Sequence, residues 1–516
     1  MKAIILFHLL LLIIATTNTV ATTKQQTFKK HLKHYHYPTL PIFFENTDPS
    51  TISFVTQRQD HFDGSNANTW EQAYYVNDTF WKGDGPVFLC VGGEGPPLTQ
   101  KVTVDSVHCS NAVDWLEETN ALFFAVEHRY YGCHNMSACP VDNFDNVIES
   151  LKFLSSRQAL ADLANFHTFA TEKYNLSGKK WVSWGGSYPG MLAGWFRLKF
   201  PHLVHAAVAS SAPVHTKLEM NEYNDHVRFA YTVESVGGSE QCAKAISDGH
   251  VEIGQMMNDD SGRSELVSKF ISIPSADWLK SKDNQRTFAG EGVAYFPSQG
   301  NDPSCTTPAC DIRSICEIML TPNVNPVDLL AKVFSSQNPS ASITSSNNMR
   351  GGINTKRSMM VMTTTTARNK ENSDDASLPD FWSWQTCNEM GFYQTCDVGS
   401  DCMYVQGLDT LSDAMAFCTS EFKIDASVVA ENVNFTDVYY GSIDPVGTRV
   451  LWPNGEVDPW STLSVLKAPC AEQPVLYVKG ASHHFWTHPT LPTDQHTVEE
   501  ARLAIRKQVE EWLMED

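Results

Sequence analysis

Short, continuously apolar runs recur along the chain and predict strands, because a strand buried on both faces of a parallel sheet has no polar side to alternate with. The runs cover residues 71–76, 87–91, 121–126, 181–184, 204–209, 448–452 and 474–478. Between several of them the apolar residues follow helical spacing, most clearly at 151–174 and 498–513. This alternation of strand and helix predicts a doubly wound α/β sheet, with the helices covering its faces.

The alternation stops after Ser211. Residues 214–440 are rich in cysteine, helical in places and without regular strand runs, so we predict an inserted, mainly helical cap domain. The sheet domain then has a first part at 22–213 and a second part at 441–516. Within the cap, residues 335–379 are dominated by Ser, Thr and Asn, a composition that cannot bury enough apolar area to order itself, and we predict an exposed loop there.

The N-terminus has the composition of a targeting segment. Lys2 is followed by an apolar run over residues 3–15 and by a small-residue step at 19–21, which predicts a secretory signal peptide over residues 1–21. An uncleaved anchor is the alternative, but no basic flank follows the run, and no later apolar run has membrane length. Sequons for N-glycosylation stand at Asn77, Asn135, Asn175 and Asn434. We therefore expect a protein of the secretory pathway, either lysosomal or vacuolar or extracellular, with no membrane span.

Thirteen cysteines fit an oxidising compartment. Cys133 and Cys139 flank a short loop that a disulfide can close, whereas the pairing of the later cysteines stays open. Because the count is odd, at least one thiol is unpaired or intermolecular, and we predict Cys90, which lies in the apolar run 87–91. No Cys-x-x-Cys pair has zinc-like partners, so we expect no metal. The net charge of -21 argues against a nucleic acid partner.

Residues 181–190, WVSWGGSYPG, contain the first candidate for chemistry. An apolar run breaks at Gly185 and Gly186, presents Ser187, and continues into an amphipathic stretch. This is the sequence form of a strand, a sharp turn and a helix with a nucleophilic serine on the turn, as α/β-hydrolases have it. A tight connection without catalytic function is the alternative. Ser187 is the predicted nucleophile.

A serine nucleophile needs a base and an acid that orients the base, and the last two predicted strands supply both. Asp458 follows the strand 448–452, and His483 and His484 follow the strand 474–478. Catalytic groups of parallel sheets gather at the carboxyl ends of strands, so these side chains can converge with Ser187. A turn-capping aspartate and a loop histidine are the alternatives, but the chain order Ser, Asp, His is that of an α/β-hydrolase triad.

An oxyanion hole needs two N–H donors, one from the residue after the nucleophile and one from an earlier loop. We predict that Tyr188 supplies the first and Gly93, in the run Val-Gly-Gly-Glu-Gly, the second. Glu94 either holds a substrate amine or supports the loop.

The motifs VGGEGP, EHRYYG, RQALADLANF, GGSYPGMLAGWFRLKFPHLVHAAVASSAPV, NGEVDPW and GASHH, taken together, resemble the proline-specific serine peptidase family of lysosomal Pro-X carboxypeptidase, dipeptidyl-peptidase II and thymus-specific serine protease. The resemblance covers roughly residues 54–513 and is weakest in the cap. It implies an α/β-hydrolase sheet with a helical cap and a triad of Ser187, Asp458 and His483. The family's catalytic histidine stands first in the His-His pair, which favours His483 over His484.

The resemblance also implies that Met191 and Trp460 line an apolar pocket suited to a proline ring; ordinary core packing is the alternative. It suggests a homodimer as well. The sequence departs from the family at Pro189, at Phe485 and Trp486, and in the Ser/Thr-rich insert, so the cleavage mode stays open.

We therefore expect a serine exopeptidase that hydrolyses peptides next to proline through an acyl-enzyme, with peptides as partners and no cofactor. It acts either as a carboxypeptidase or as a dipeptidyl-peptidase. The alternatives are a secreted esterase or lipase with the same triad and, with less support, a non-catalytic binding protein on a hydrolase scaffold.

Overall fold

A computed structural model describes residues 52–142, 147–339 and 380–515. Its main sheet has eight strands: β1 (Ser53–Arg58), β2 (Thr69–Asn77), β3 (Val87–Val91), β4 (Leu122–Val126), β5 (Trp181–Gly186), β6 (Ala206–Ser210), β9 (Val450–Gly455) and β10 (Val475–Val478). Two further short strands, β7 (Lys217–Glu219) and β8 (Gly391–Tyr393), pair with each other. All seven predicted strands are present, with ends that differ by a few residues.

The strand order is β1-β2-β4-β3-β5-β6-β9-β10. β1 pairs antiparallel with β2, and β2 antiparallel with β4, whereas every pair from β4 to β10 is parallel. A largely parallel sheet in this order, with one antiparallel edge, is the α/β-hydrolase fold. The predicted fold class is confirmed.

Side chains of the central strands alternate between two apolar cores. In β3, Val87, Leu89 and Val91 belong to one core cluster and Phe88 and Cys90 to the other. A strand whose side chains are buried on both faces is therefore continuously apolar in sequence, which is why these strands were predictable.

Helices cover both faces of the sheet and fill the connection between β6 and β9. They are α1 (Ser110–Val113), α2 (Leu116–Thr119), α3 (Val147–Ser150), α4 (Ser156–Lys173), α5 (Tyr188–Lys199), α6 (Asn221–Ala230), α7 (Glu240–Met256), α8 (Asp260–Lys269), α9 (Lys282–Ala289), α10 (Ile312–Met319), α11 (Pro326–Gln337), α12 (Phe381–Gln385), α13 (Leu411–Phe422), α14 (Ala426–Tyr440) and α15 (His496–Met514). Short 3₁₀ turns and one π-helix, Thr386–Met390, connect some of them.

Helices α4 and α15 cover opposite faces. Leu163 and Phe166 of α4 pack in one core, and Ile505 and Val509 of α15 pack in the other. α4 falls within the predicted segment 151–174, and the predicted segment 498–513 falls within α15. The apolar stripe predicted for the C-terminal helix faces the sheet.

Sequence patterns failed at weak or short elements. β1 was missed because its polarity does not follow its burial: Phe54 is exposed and Gln57 is buried, so apolar and polar residues do not alternate along the strand. β7 and β8 were missed because three residues carry no period. The predicted loop 335–379 begins too early, since residues 335–337 complete α11. Residues 340–379 and the predicted signal peptide, 1–21, lie outside the described residues. The boundaries of the cap domain stay a prediction.

Six disulfides use twelve of the thirteen cysteines: Cys90–Cys109, Cys133–Cys139, Cys242–Cys316, Cys305–Cys310, Cys387–Cys418 and Cys396–Cys402. The free one is Cys470, which is exposed. The prediction of Cys90 as the unpaired thiol is therefore wrong. Alternation along β3 directs its side chain into the same core as Cys109, which immediately precedes α1, whereas the predicted pair Cys133–Cys139 is confirmed.

In the part of the chain that the structure describes, no helix combines the length and the apolar character that a membrane crossing requires.

Candidate active site

Ser187 sits on the turn between β5 and α5 with φ 65° and ψ -133°. A non-glycine residue with positive φ is strained, and such strain at a strand-to-helix turn is the geometry of a nucleophile elbow. Neighbouring glycines make it sterically feasible. A Cβ at Gly185 would lie 2.3 Å from the carbonyl oxygen of Pro189, and one at Gly186 would lie 2.8 Å from the imidazole Cγ of His484. Ser187 is partly exposed, whereas the residues on either side of it in the chain are buried.

Asp458 and His483 meet beyond the ends of β9 and β10. The imidazole Nδ1 of His483 lies 2.8 Å and 2.9 Å from the two carboxylate oxygens of Asp458. Asp458 is fully buried, and one of its oxygens also accepts the backbone N–H of Trp460 at 3.0 Å. A carboxylate fixed in this way holds the proton of the imidazole on Nδ1 and leaves Nε2 as the basic nitrogen.

The basic nitrogen of His483 has no hydrogen-bond partner among the described residues, although it is buried. The hydroxyl of Ser187 is therefore not hydrogen-bonded to it in this structure. Nucleophile and base are often too far apart for a good hydrogen bond in a substrate-free enzyme and come together only in the complex. A direct contact between Ser187 and His483 stays a prediction.

His484 connects the histidine loop to the serine turn. Its backbone N–H donates to the hydroxyl of Ser211 at 2.9 Å, its Nδ1 lies 3.0 Å from the hydroxyl of Thr487, and its ring packs against Gly186. Burial lowers the pKa of His484 well below its usual value, so the ring is neutral there. Because the rings of His483 and His484 are 4.6 Å apart, this packing brings the base next to the serine turn.

The glycine loop after β3 approaches the same turn. A Cβ at Gly93 would lie 2.3 Å from the side-chain Cγ of Pro189, so only glycine allows this contact. Glu94, next in the chain, is partly buried, and its carboxyl interacts electrostatically with His483. Burial raises the pKa of Glu94 to about 7, with its own backbone N–H and His483 acting in the opposite direction. The predicted oxyanion donors, Gly93 and Tyr188, thus lie on the two segments that meet at Pro189.

A buried polar network that sequence reasoning missed holds the Tyr188 side chain. Its hydroxyl lies 2.9 Å from Nε2 of His128 and accepts the side-chain amide of Gln385 at 2.9 Å. Gln385 in turn accepts the hydroxyl of Tyr131 at 2.6 Å and donates to Glu389 at 3.3 Å. His128 and Tyr131 belong to the motif EHRYYG, but nothing in the sequence indicated that Gln385 reaches back to the serine turn.

Gln299, also missed, links the region between β6 and β9 to the histidine loop. Its side-chain oxygen accepts the indole N–H of Trp460 at 2.9 Å and the hydroxyl of Tyr223 at 2.8 Å. Its backbone carbonyl accepts the N–H of His483 at 3.1 Å. A lone glutamine in a loop carries no sequence pattern that would have revealed these contacts.

Met191 and Trp460, the predicted pocket residues, belong to one apolar cluster together with Trp382, Met390 and Phe392. Met191 is fully buried, and the ring of Trp460 lies 5.3 Å from that of Phe392 and 6.3 Å from that of His483. An apolar surface therefore approaches the predicted base. Whether Met191 contacts a substrate stays a prediction.

Comparison with known families agrees with this geometry. Residues 57–505 match the model of the family described as serine carboxypeptidase S28. The chain belongs to the S28 family. As a member it is a serine peptidase with a hydrolase fold, and the predicted resemblance is confirmed.

Relatives in the S28 family match most of the chain. The human thymus-specific serine protease is 30% identical over 487 residues, which cover 90% of this chain and 86% of the relative. The human lysosomal Pro-X carboxypeptidase is 26% identical over 506 residues, 96% of this chain and 94% of the relative. Among solved structures, a proline iminopeptidase of Mycobacterium smegmatis is 12% identical with a TM-score of 0.35 over 90% of this chain and 99% of that one, a likeness too distant to add to the sheet order.

Proposed function

We propose that this S28 member is a serine exopeptidase that cleaves peptides next to proline through an acyl-enzyme, with Ser187, Asp458 and His483 as its triad. The observation that carries the proposal is the pair of short contacts between Asp458 and Nδ1 of His483, with Nε2 buried and without a hydrogen-bond partner among the residues that the structure describes. A base that is oriented in this way has one free nitrogen for a serine proton.

In the first half of the reaction the Ser187 hydroxyl attacks the scissile carbonyl carbon while Nε2 of His483 takes its proton. The carbonyl oxygen becomes an oxyanion that the backbone N–H groups of Tyr188 and Gly93 receive. The imidazolium then gives its proton to the leaving amine as the C–N bond breaks, and an ester to Ser187 remains. In the second half, water attacks this ester, with His483 again acting as base.

Cleavage next to proline is supported by the apolar cluster around Trp460 and Met191 and by the name of the related lysosomal Pro-X carboxypeptidase. A proline ring is compact and apolar, so it gains from burial against aromatic side chains. The disulfides indicate an oxidising compartment, and we propose a lysosomal or extracellular location. A homodimer stays a prediction.

The proposal is tested with a fluorophosphonate probe and a panel of short peptides that carry proline at each position. We expect the native protein to be labelled and to cleave beside proline, and Ser187→Ala to lose both activities. Asp458→Asn is expected to lower kcat by about 10⁴-fold, because the imidazole is then held in the wrong tautomer. Ser272→Ala, at an exposed position outside every sequon, is the matched control.

Turnover of simple esters with no cleavage of any peptide would favour an esterase. Labelling that Ser187→Ala leaves unchanged would overturn the proposal and favour a binding protein.

A further inference from the structure

Tyr188 has a buried phenol side chain that takes part in no step of the mechanism above. The residue is 1% exposed, follows Ser187 directly and begins α5. The backbone N–H groups in the first turn of a helix have no acceptor within the helix, so the N–H of Tyr188 is available to an oxyanion. The contacts that fix Tyr188 therefore decide where this predicted donor points.

The hydrogen bonds at the Tyr188 hydroxyl have one consistent direction. Nδ1 of His128 lies 2.7 Å from the carbonyl oxygen of Arg129, and because a carbonyl can only accept, this nitrogen carries the proton. Burial lowers the pKa of His128 to about 4, so the ring is neutral and its Nε2 is an acceptor. The Tyr188 hydroxyl therefore donates to Nε2 at 2.9 Å, and it accepts the side-chain amide of Gln385 at 2.9 Å.

The phenol ring is also enclosed by packing. Its centroid lies 5.4 Å from that of His128 and 5.4 Å from that of Trp382. His128 follows β4, whereas Trp382 and Gln385 belong to α12 in the chain between β6 and β9. Two separate parts of the chain thus hold the Tyr188 side chain, and both its donor and an acceptor site are occupied.

The strain at Ser187 explains why such a hold is needed. The ψ angle of Ser187, -133°, sets the orientation of the peptide group that contains the N–H of Tyr188, and the φ angle of 65° is unfavourable for serine. Strained backbone persists only where the surrounding structure over-determines it. On one side the N–H of Ser187 donates to the carbonyl of Ser210 at 2.9 Å. On the other side the constraint is the anchored side chain of Tyr188.

The loop that carries the second predicted donor, Gly93, lies against the same segment after β4. A Cβ at Gly92 would lie 2.8 Å from the backbone nitrogen of His128, so only glycine allows this approach. At the far end of the loop, the N–H of Leu98 donates to a side-chain oxygen of Glu127. Glu127 and His128 are neighbours in the chain, so one short segment fixes both ends of the loop.

Both predicted oxyanion donors are thus connected to His128, one through its ring and one through its backbone. Building on the proposed function, we propose that His128 is a positioning residue of the oxyanion hole, which keeps the N–H groups of Tyr188 and Gly93 aimed at one point. In this role His128 contacts no substrate atom and acts through the donors. Because the donors bind charge that develops only in the transition state, loss of His128 lowers kcat and leaves KM nearly unchanged.

The test compares Tyr188→Phe, His128→Phe and His128→Gln in the full-length protein, with the proline peptide that the wild type cleaves best. We expect kcat to fall about 30-fold in the two phenylalanine variants, with KM within about three-fold of wild type. His128→Gln, whose amide oxygen replaces Nε2 as acceptor, should stay within about three-fold of wild-type kcat. The double variant His128→Phe/Tyr188→Phe should be no slower than either single one, because the two substitutions remove the same contact.

Inhibition by two probes separates positioning from a general structural effect. A peptide boronate forms a tetrahedral adduct with Ser187 whose oxygen occupies the oxyanion hole, so its Ki should rise by the same factor as kcat/KM falls. The Ki of the product peptide should not change. Tyr74→Phe also removes a buried hydroxyl, one that contacts Tyr174 at 3.2 Å, and should lower Tm without changing these constants. The exposed His496→Phe is the control for His128→Phe.

Wild-type kcat in folded Tyr188→Phe or His128→Phe would overturn the inference, as would equal weakening of the boronate and the product peptide. Equal loss of activity in His128→Gln and His128→Phe would also overturn it, because the acceptor would then be irrelevant. Tyr188→Phe removes a single oxygen atom and decides the matter if His128→Phe does not fold. If the wild type cleaves no proline peptide but turns over an ester, the proposed function fails, while the same variants compared on the ester still decide the inference.

Discussion

The backbone N–H of His483 donates to the carbonyl of Gln299 at 3.1 Å. Gln299 lies in the chain between β6 and β9, whereas His483 follows β10, so the inserted region fixes the position of the predicted base. The side chain of Gln299 strengthens this connection through Trp460 and Tyr223. Changes in the inserted region are therefore expected to alter catalysis without touching the triad.

Gln299→Ala tests this coupling. The substitution keeps the backbone bond to His483 but leaves the Trp460 indole and the Tyr223 hydroxyl without their acceptor, at a cost of about 1–3 kcal/mol for each donor that stays buried. We expect a lower Tm and a kcat/KM reduced about ten-fold, with Gln255→Ala, at an exposed position of α7, as control. Unchanged kinetics would show that the inserted region does not position the base.

Gly186→Ala addresses the packing between the serine turn and the histidine loop. The added Cβ would lie 2.8 Å from the His484 ring, which must move and carry His483 with it. We expect kcat to fall by about 100-fold or more, because small displacements of a base are that costly. Gly64→Ala is the control, since nothing lies within 4 Å of a Cβ there. Wild-type kcat in a folded Gly186→Ala protein would contradict the packing argument.

The alternative in which Glu94 holds a substrate amine predicts that activity on substrates with a free amino terminus depends on the ionisation of this carboxyl. Because burial raises its pKa to about 7, the carboxyl becomes neutral as the pH falls below that value and loses its attraction for an ammonium ion. We expect KM for such peptides to rise as the pH is lowered from about 7 to 5, and Glu94→Gln to remove this dependence. Steady-state kinetics across this range provide the measurement; a KM that is flat in the wild type would exclude this role of Glu94.

The buried carboxyl of Glu389 should make stability depend on pH. Burial raises its pKa from 4.5 to about 7, although Ser156 donates to it from both backbone and hydroxyl. Between about pH 4.5 and 7 the unfolded chain therefore loses a proton that the folded protein keeps, so the free energy of unfolding falls as pH rises, by up to about 3 kcal/mol.

Glu389→Gln keeps an acceptor for Ser156 and removes the titrating group. We expect the free energy of unfolding of this variant, minus that of the wild type, to be larger at pH 8 than at pH 5, as urea unfolding at the two pH values can measure. The exposed Glu421→Gln should show the wild-type slope. Parallel pH profiles for wild type and Glu389→Gln would contradict the prediction.

The disulfide arrangement predicts one reactive thiol. Without reductant, an alkylating reagent should modify Cys470 alone, as peptide mass spectrometry can show. Cys470→Ser should leave stability within about 0.5 kcal/mol of wild type, because the position is exposed. Cys90→Ser should cost about 2–5 kcal/mol by opening the disulfide to Cys109. Alkylation of Cys90 in the native protein would refute the pairing.

Local patterns in the sequence determined seven of the eight strands of the main sheet, the two long covering helices and the serine turn of this protein. Strands buried on both faces are continuously apolar, and the turn at Ser187 requires glycines in the positions where Gly185 and Gly186 stand. Position at the ends of predicted strands was sufficient to propose that Asp458 and His483 meet, which the structure bears out. Each of these predictions started from a local pattern of neighbouring residues, namely a strand, a turn or the end of a strand.

Only the tertiary structure decided which residues distant in sequence contact one another. Three examples join residues far apart in sequence. They are the disulfide of Cys90 with Cys109, the hydrogen bond of Gln385 to Tyr188, and the hydrogen bonds of Gln299 with His483 and Trp460. Such contacts depend on how whole elements pack, and a single glutamine or cysteine has the same local pattern whether or not a partner reaches it.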